Sequence, residues 1–146
     1  MSYWDSSALV PLVVNEPAST SARALLRAGG DPVVWWASPI ECALALERRR
    51  RAGQLTHEER NHAERLLSQL SAVWVEVQPS QAVRESALRL LRSHDLRAAD
   101  ALQLAAALVW AEDQPSGRTF VCLDERLREA ARQSGFTVWP EHMLLA

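Results

Sequence analysis

The sequence predicts an α/β fold, a three-layer sandwich in which a mostly parallel central sheet is covered by helices on both faces. Three observations predict it. Short apolar segments alternate with helices or helix pairs along the chain, the pattern that parallel strands joined by crossovers require. The strand segments, VVWW and TFVCL among them, are continuous apolar runs, as strands buried on both faces must be. The chain has 146 residues, 48% of them hydrophobic, enough for one domain with a real core. No repeat, low-complexity tract or linker divides it, so residues 1–146 are read as one domain.

Tyr3-Trp4 is a short strand ending at Asp5. Ser6 to Val14 is a helix with a bend at Pro11, whose ring removes a backbone donor. Ala18 to Ala28 is a second helix, closed by Gly29-Gly30. Val33 to Trp36 is a buried strand. Pro39 to Ala52 is a helix with a marked start: Ser38 as N-cap, Pro39 at N1, and Glu41 at N3 completing a capping box, with Gly53 as the stop. Thr56 and Glu59 repeat the box for a helix to Leu70, and Val73 to Val77 is a strand. Ser80 to Arg92 is a helix with Val83, Ala87, Leu90 and Leu91 on its apolar face. Leu96 to Leu108, LRAADALQLAAAL, is a helix that DQPSG ends. Thr119 to Leu123 is a strand, Glu125 to Gln133 a helix, and Phe136 to Trp139 the last strand.

Composition excludes several roles. The formal net charge is -2, so no global basic field draws the protein to nucleic acid or an anionic membrane, and a polyanion site has to be a local patch. All the basic residues are Arg, which removes any mechanism that needs a lysine. No apolar run approaches the roughly 20 residues of a membrane span, and MSYWDSSALV lacks the basic start of a signal peptide. The expected place is the cytoplasm. Cys42 and Cys122 sit in apolar segments without metal spacing and read as small core residues in a reducing compartment. His57, His62, His94 and His142 show no mutual spacing for a metal.

The acids carry the chemistry. Asp100 interrupts an otherwise apolar block, and a buried charge is costly unless something opposite compensates it. Pairing with Arg97 one turn back contributes only about 0.2–0.5 kcal/mol, too little for a partly buried carboxylate. Asp5 follows the first strand and Asp124 follows TFVCL. Both points lie at the carboxyl edge of a parallel sheet, where open α/β folds bind ligands. Glu41, in the first turn after VVWW, and Asp100, early in its helix, fall near the same rim. Each acid also has a structural reading: Asp5 and Asp124 as N-caps, Glu41 in its capping box, Asp100 as a partner of Arg97. Jointly, carboxylates on one rim repel and raise one another's pKa. A divalent hard cation such as Mg²⁺ or Mn²⁺ reverses that logic and takes oxygen ligands, while helix N-termini help hold the acids ionised.

The segments YWDSSALV, SPIECALAL, LRAADALQLAAAL and TFVCLDERLREAARQSGFTV fall in order from end to end of the chain. In them the chain resembles PIN-domain ribonucleases, and among these the VapC-type toxins of bacterial toxin–antitoxin pairs. The resemblance implies a PIN-like sandwich and a metal-dependent endoribonuclease. It matches Asp5, Glu41, Asp100 and Asp124 to the family's catalytic acidic quartet, which binds Mg²⁺ or Mn²⁺. Asp5 and Asp100 take the central ligand roles, and Glu41 and Asp124 join directly or through water. Ser7 matches a small hydroxyl residue that supports the site. An RNA substrate, an antitoxin partner and a homodimer are implied on the same ground. One departure is visible: where the family commonly has Thr or Ser two residues before the last acid, this chain has Cys122.

Substrate contact needs a local cation. Arg97, beside Asp100, is the candidate phosphate contact. The run Arg48 to Arg51 complements its helix dipole, and helical spacing spreads four consecutive residues around the axis. The Trp residues mostly lie in strands or helices and read as core. ALVPLVV and ASTSARALLRA either form a groove for a partner helix or pack in the core. Two other readings compete. A phosphotransfer fold with Asp at its first strand end usually needs a lysine and a second acid two residues on, and both are absent. A catalytically inactive PIN-like module would only engage RNA or a partner protein.

Overall fold

The structure, a computed structural model, describes residues 1–143. Five strands, β1 (Tyr3–Trp4), β2 (Val33–Trp35), β3 (Val75–Val77), β4 (Thr119–Val121) and β5 (Thr137–Trp139), form one sheet in the order β3-β2-β1-β4-β5. Every neighbouring pair is parallel, so the sheet is parallel throughout. The helices are α1 (Ser6–Val13), α2 (Ser19–Gly29), α3 (Ser38–Arg51), α4 (His57–Ser71), α5 (Gln81–Ser93), α6 (Ala98–Trp110) and α7 (Glu125–Gln133). α1 runs through Pro11 into its last turn.

The strand order positions the site. From β1 the chain steps outward through β2 and β3, then returns across the sheet to β4 and β5. The direction of winding reverses between β1 and β4, and at such a switch point the connections diverge and leave a crevice beyond the strand ends. Trp4 lies opposite Val121, and the Asp5 N–H donates to the Val121 carbonyl at 2.9 Å. The segments leaving β1 and β4 therefore start side by side.

Alternation along the strands divides the core into two layers. Tyr3, Val33, Trp35, Phe120 and Val138 pack with α5, α6 and α7. Trp4, Val34 and Val121 pack with α1, α2, α3 and α4. Tyr3 stacks on Phe120 with ring centroids 5.2 Å apart. Ala101, Ala105, Ala106 and Ala107 are fully buried on α6; their small side chains let this helix lie close to its neighbours. Each large apolar side chain fully buried in these layers contributes about 1.5–3 kcal/mol. Cys42 and Cys122 are both buried and unpaired by any disulfide.

Three expectations change. β3 is an edge strand that begins at Val75 rather than Val73, and Val73 before it and Val75 within it are 53% and 41% exposed, because only β2 pairs with it. Leu91 is off the buried face of α5: the inward stripe is Val83, Ser86, Ala87 and Leu90, a spacing that turns the next residue outward. Trp36 departs from the core reading of the tryptophans, being largely exposed, whereas Trp4 and Trp35 are buried. Among the described residues no helix is long and apolar enough to cross a membrane.

Candidate active site

All four acids stand at helix starts. Asp5 is the N-cap of α1 and Asp124 that of α7; Glu41 and Asp100 lie in the first turns of α3 and α6. A parallel α/β sheet aims these N-termini at one edge, and each brings about half a positive charge. The fold thus collects four carboxylates and supplies part of the field that keeps them together.

The N-cap and ligand readings of Asp5 and Asp124 prove compatible, because a carboxylate has two oxygens. Asp5 Oδ2 accepts from the Ser7 N–H at 3.1 Å, the Ser7 hydroxyl at 2.5 Å and the Cys122 thiol at 3.6 Å. Every side-chain bond described for Asp5 falls on that oxygen. Asp124 Oδ1 accepts from the Leu127 N–H at 3.0 Å. In each case the second oxygen remains available for a ligand. Asp5, Asp100 and Asp124 line one cavity of about 410 Å³ together with Ser6, Ser7, Val10, Glu16, Ala45, Arg49 and Leu123.

Glu41 is freed for the site by a cap that does not form. The N-cap of α3 is Ala37, in a helical rather than extended conformation and without a side-chain bond, so the expected Ser38–Glu41 capping box is absent. Ser38 is buried and its Oγ accepts from Gln103 Nε2 at 3.2 Å. The same Gln103 nitrogen donates to Glu41 Oε2 at 2.9 Å, and the Ser6 hydroxyl donates to Glu41 Oε1 at 3.2 Å. Gln103 in turn accepts from the Tyr3 hydroxyl at 2.6 Å. This chain of bonds orients the amide: Tyr3 takes its oxygen, and both N–H groups face Ser38 and Glu41. Burial raises the Tyr3 pKa well above its ordinary value, with Asp5 and Glu41 adding to it, so its hydroxyl stays protonated as a donor.

The electrostatics carry the mark of crowding. Burial raises the Asp5 pKa; Ser7 and Cys122 oppose the shift and the charge of Asp100 adds to it. Glu41 is pushed up to about 7, chiefly by burial, against its bond to Gln103 and with a contribution from Asp5. Asp100 is raised by burial and then by Asp124, against Arg97. Arg97 Nε stands 3.6 Å from Asp100 Oδ2 with its side chain 78% exposed. It sits at the rim, where a pair of this kind contributes little.

Ser7 and Cys122 join the two central strands. The Ser7 hydroxyl, while donating to Asp5, accepts from the Leu123 N–H at 2.9 Å. Cys122 Sγ accepts from the Asp124 N–H at 3.4 Å. The thiol lies between Asp5 and Asp124 as a weaker hydrogen-bonding group than a hydroxyl. Arg128, 3% exposed, donates to the carbonyls of Cys122 at 3.0 Å and Pro140 at 2.6 Å, and so ties the end of β4 to the segment after β5. Sequence reasoning misses the site roles of Tyr3, Gln103 and Arg128 and reads Ser38 only as an N-cap. Gln103 alone left a signal, as the polar residue one turn beyond Asp100 on an apolar helix.

Replacing Gln103 by Leu strands the Tyr3 hydroxyl and the Ser38 hydroxyl and releases Glu41. Urea denaturation is expected to show a loss of about 1–3 kcal/mol. Wild-type stability in that variant would contradict the described network.

The donor set suits a hard divalent cation, since it is all oxygen and mutual repulsion among the acids favours filling it, while the helix ends help keep those acids ionised. Among the described residues no three His, Cys, Asp or Glu side chains converge closely enough to enclose an ion. Mg²⁺ does not need enclosure: it binds through one or two carboxylates and keeps several waters. The second oxygens of Asp5 and Asp124 and the carboxylate of Asp100 are compatible with that mode.

The chain belongs to the PIN-domain family, whose model matches residues 2–133. It is 32% identical to Ribonuclease VapC45 of Mycobacterium tuberculosis (strain CDC 1551 / Oshkosh) over 141 residues, 97% of this chain and 96% of that one. Its fold is similar to a toxin–antitoxin complex from Klebsiella pneumoniae, with TM-score 0.70, 14% identity, and 99% and 100% of the two chains covered. It is also similar to Mycobacterium tuberculosis VapC20, a sarcin–ricin loop cleaving toxin, with TM-score 0.67, 16% identity, and 94% and 97% covered.

Proposed function

We propose that the protein is a Mg²⁺- or Mn²⁺-dependent endoribonuclease, the toxin of a toxin–antitoxin pair, acting on single-stranded or looped RNA in the cytoplasm. The observation that carries the reading is the set of four acids on four helix N-termini at the β1–β4 switch point. The names of its relatives support the class of substrate. Asp5 and Asp100 would hold the cation, with Glu41 and Asp124 joining directly or through water. A bound cation would supply Lewis acidity, to activate water and to offset charge on the phosphate.

The chain's own residues position and charge the site. Ser7 and Cys122 hold Asp5 by one oxygen, the Leu127 N–H holds Asp124, and Gln103 and Ser6 clamp Glu41. No Ser, Cys or Lys nucleophile is needed, because water attacks and electrostatic preorganisation supplies the catalysis. All four acids are present, which favours the active reading over a binding module. An antitoxin and a second copy of the chain are the partners of this reading. ALVPLVV is buried in the core, so an antitoxin groove would draw on α2, where Leu25 and Leu26 remain partly exposed.

The test is cleavage of a panel of structured and single-stranded RNAs, with and without EDTA. Cutting that requires Mg²⁺ or Mn²⁺ and stops with EDTA is the expected result. Cutting unaffected by EDTA contradicts the metal role, and no cutting of any RNA favours the binding module.

A further inference from the structure

We propose that Arg49, held by Glu16, is the cation that contacts the RNA backbone, on a phosphate flanking the one being cut; this rests on the nuclease reading above. The rim of carboxylates repels a polyanion, so a fixed cation inside the cavity is needed. Arg49 is the one cationic side chain that lines it among the described residues. Arg97 is not part of that lining, and of the arginine run only Arg49 faces this way: Arg48 and Arg51 are not among the lining residues and Arg50 pairs with Glu47 at 3.0 Å.

Helix geometry places it there. Glu41, Ala45 and Arg49 recur every four residues along one face of α3. Ala45 between them is small and leaves the groove open. Arg49 lies two turns past Glu41, about 12 Å along the helix, so it meets a neighbouring phosphate rather than the scissile one. Its side chain leans back toward the helix start: Nη1 donates to the Ala45 carbonyl at 3.1 Å and Nε to Glu16 Oε1 at 2.5 Å. Those bonds occupy two of the five guanidinium N–H groups. The other three have no acceptor among the described residues, and the side chain is 28% exposed.

Glu16 is itself anchored. The buried Ser19 hydroxyl accepts from the Glu16 N–H at 2.8 Å and donates to the Val14 carbonyl at 2.7 Å. The Ser19 N–H donates to the Glu16 carbonyl at 3.0 Å. The loop between α1 and α2 therefore fixes the acid, the acid fixes Nε, and the open edge of the guanidinium presents a planar fork to a phosphate.

Anisotropy with a labelled single-stranded RNA of mixed sequence tests this, using the full chain carrying Asp100→Asn so that the probe stays intact. Adding Arg49→Gln is expected to weaken binding about five- to tenfold at low salt. It is also expected to reduce the slope of log K against log salt by about 0.7, one single-strand phosphate, which a merely structural role would not move. Arg49→Lys keeps the charge without the fork, so the slope is expected to stay while affinity falls about two- to threefold; it decides the matter if the Gln variant fails to fold. Parent affinity and parent slope in Arg49→Gln, or parent affinity in Arg49→Lys, overturns the assignment and leaves the nuclease reading intact. No RNA binding by the parent together with no cleavage by wild type overturns both.

Discussion

Asp100→Asn is expected to lower RNA cleavage by on the order of 10³-fold while leaving the melting temperature unchanged or higher. The loss follows from the place of Asp100 on the cavity wall with Asp5 and Asp124. The retained stability follows from its environment. Burial and the Asp124 charge both disfavour the ionised form of Asp100, so a neutral isostere removes a cost. The only charge partner it gives up among the described residues is Arg97, at 3.6 Å on the surface, a pair worth about 0–1 kcal/mol. A residue placed for packing alone would show the opposite pattern, activity kept and stability lost. Initial rates beside thermal melts decide between the two.

Glu41→Gln is expected to weaken the dependence of stability on pH in the cation-free protein. The Glu41 pKa is pushed from 4.5 to about 7 in the folded state. Between those values the native state holds more protons than the unfolded chain, so stability falls as pH rises through that window. The full shift corresponds to about 3 kcal/mol, and the partial exposure of the carboxylate reduces this to about 1–2 kcal/mol. The Gln variant should exceed wild type by that amount at pH 8 with EDTA present, and the difference should vanish near pH 4. Asp5 and Asp100 are raised in the same direction, so wild type itself should lose stability as pH rises. Urea titrations at several pH values measure this. A gap that widens toward low pH would contradict the assignment.

The order of elements and the carboxyl-edge placement of the acids were legible because both are local. Apolar runs mark strands, and Asp at a strand end marks a helix start. The Thr56–Glu59 capping box was readable for the same reason: Thr56 is extended, and both reciprocal bonds form. The Ser38–Glu41 pattern looked equivalent and was not. Gln103, distant in sequence, takes the Ser38 hydroxyl and the Glu41 carboxylate, so a tertiary contact overrides the local signal. The place of Arg49 was hidden likewise. Four adjacent arginines are equivalent in sequence, and only the packing of α3 beside α1 and the loop carrying Glu16 singles out one. Arg128 gave no signal, since nothing in ERLREAAR marks the residue that will be buried under two strand ends.

Binding of Mn²⁺ to the full chain, followed by the loss of its free electron paramagnetic resonance signal at pH 7.5, tests the central claim most directly. Saturable binding to wild type that is lost in the Asp5→Asn, Asp100→Asn double variant is the predicted result. Saturable binding that survives in the double variant, or none in the wild type, would contradict a cation held by the acids of the β1–β4 crevice.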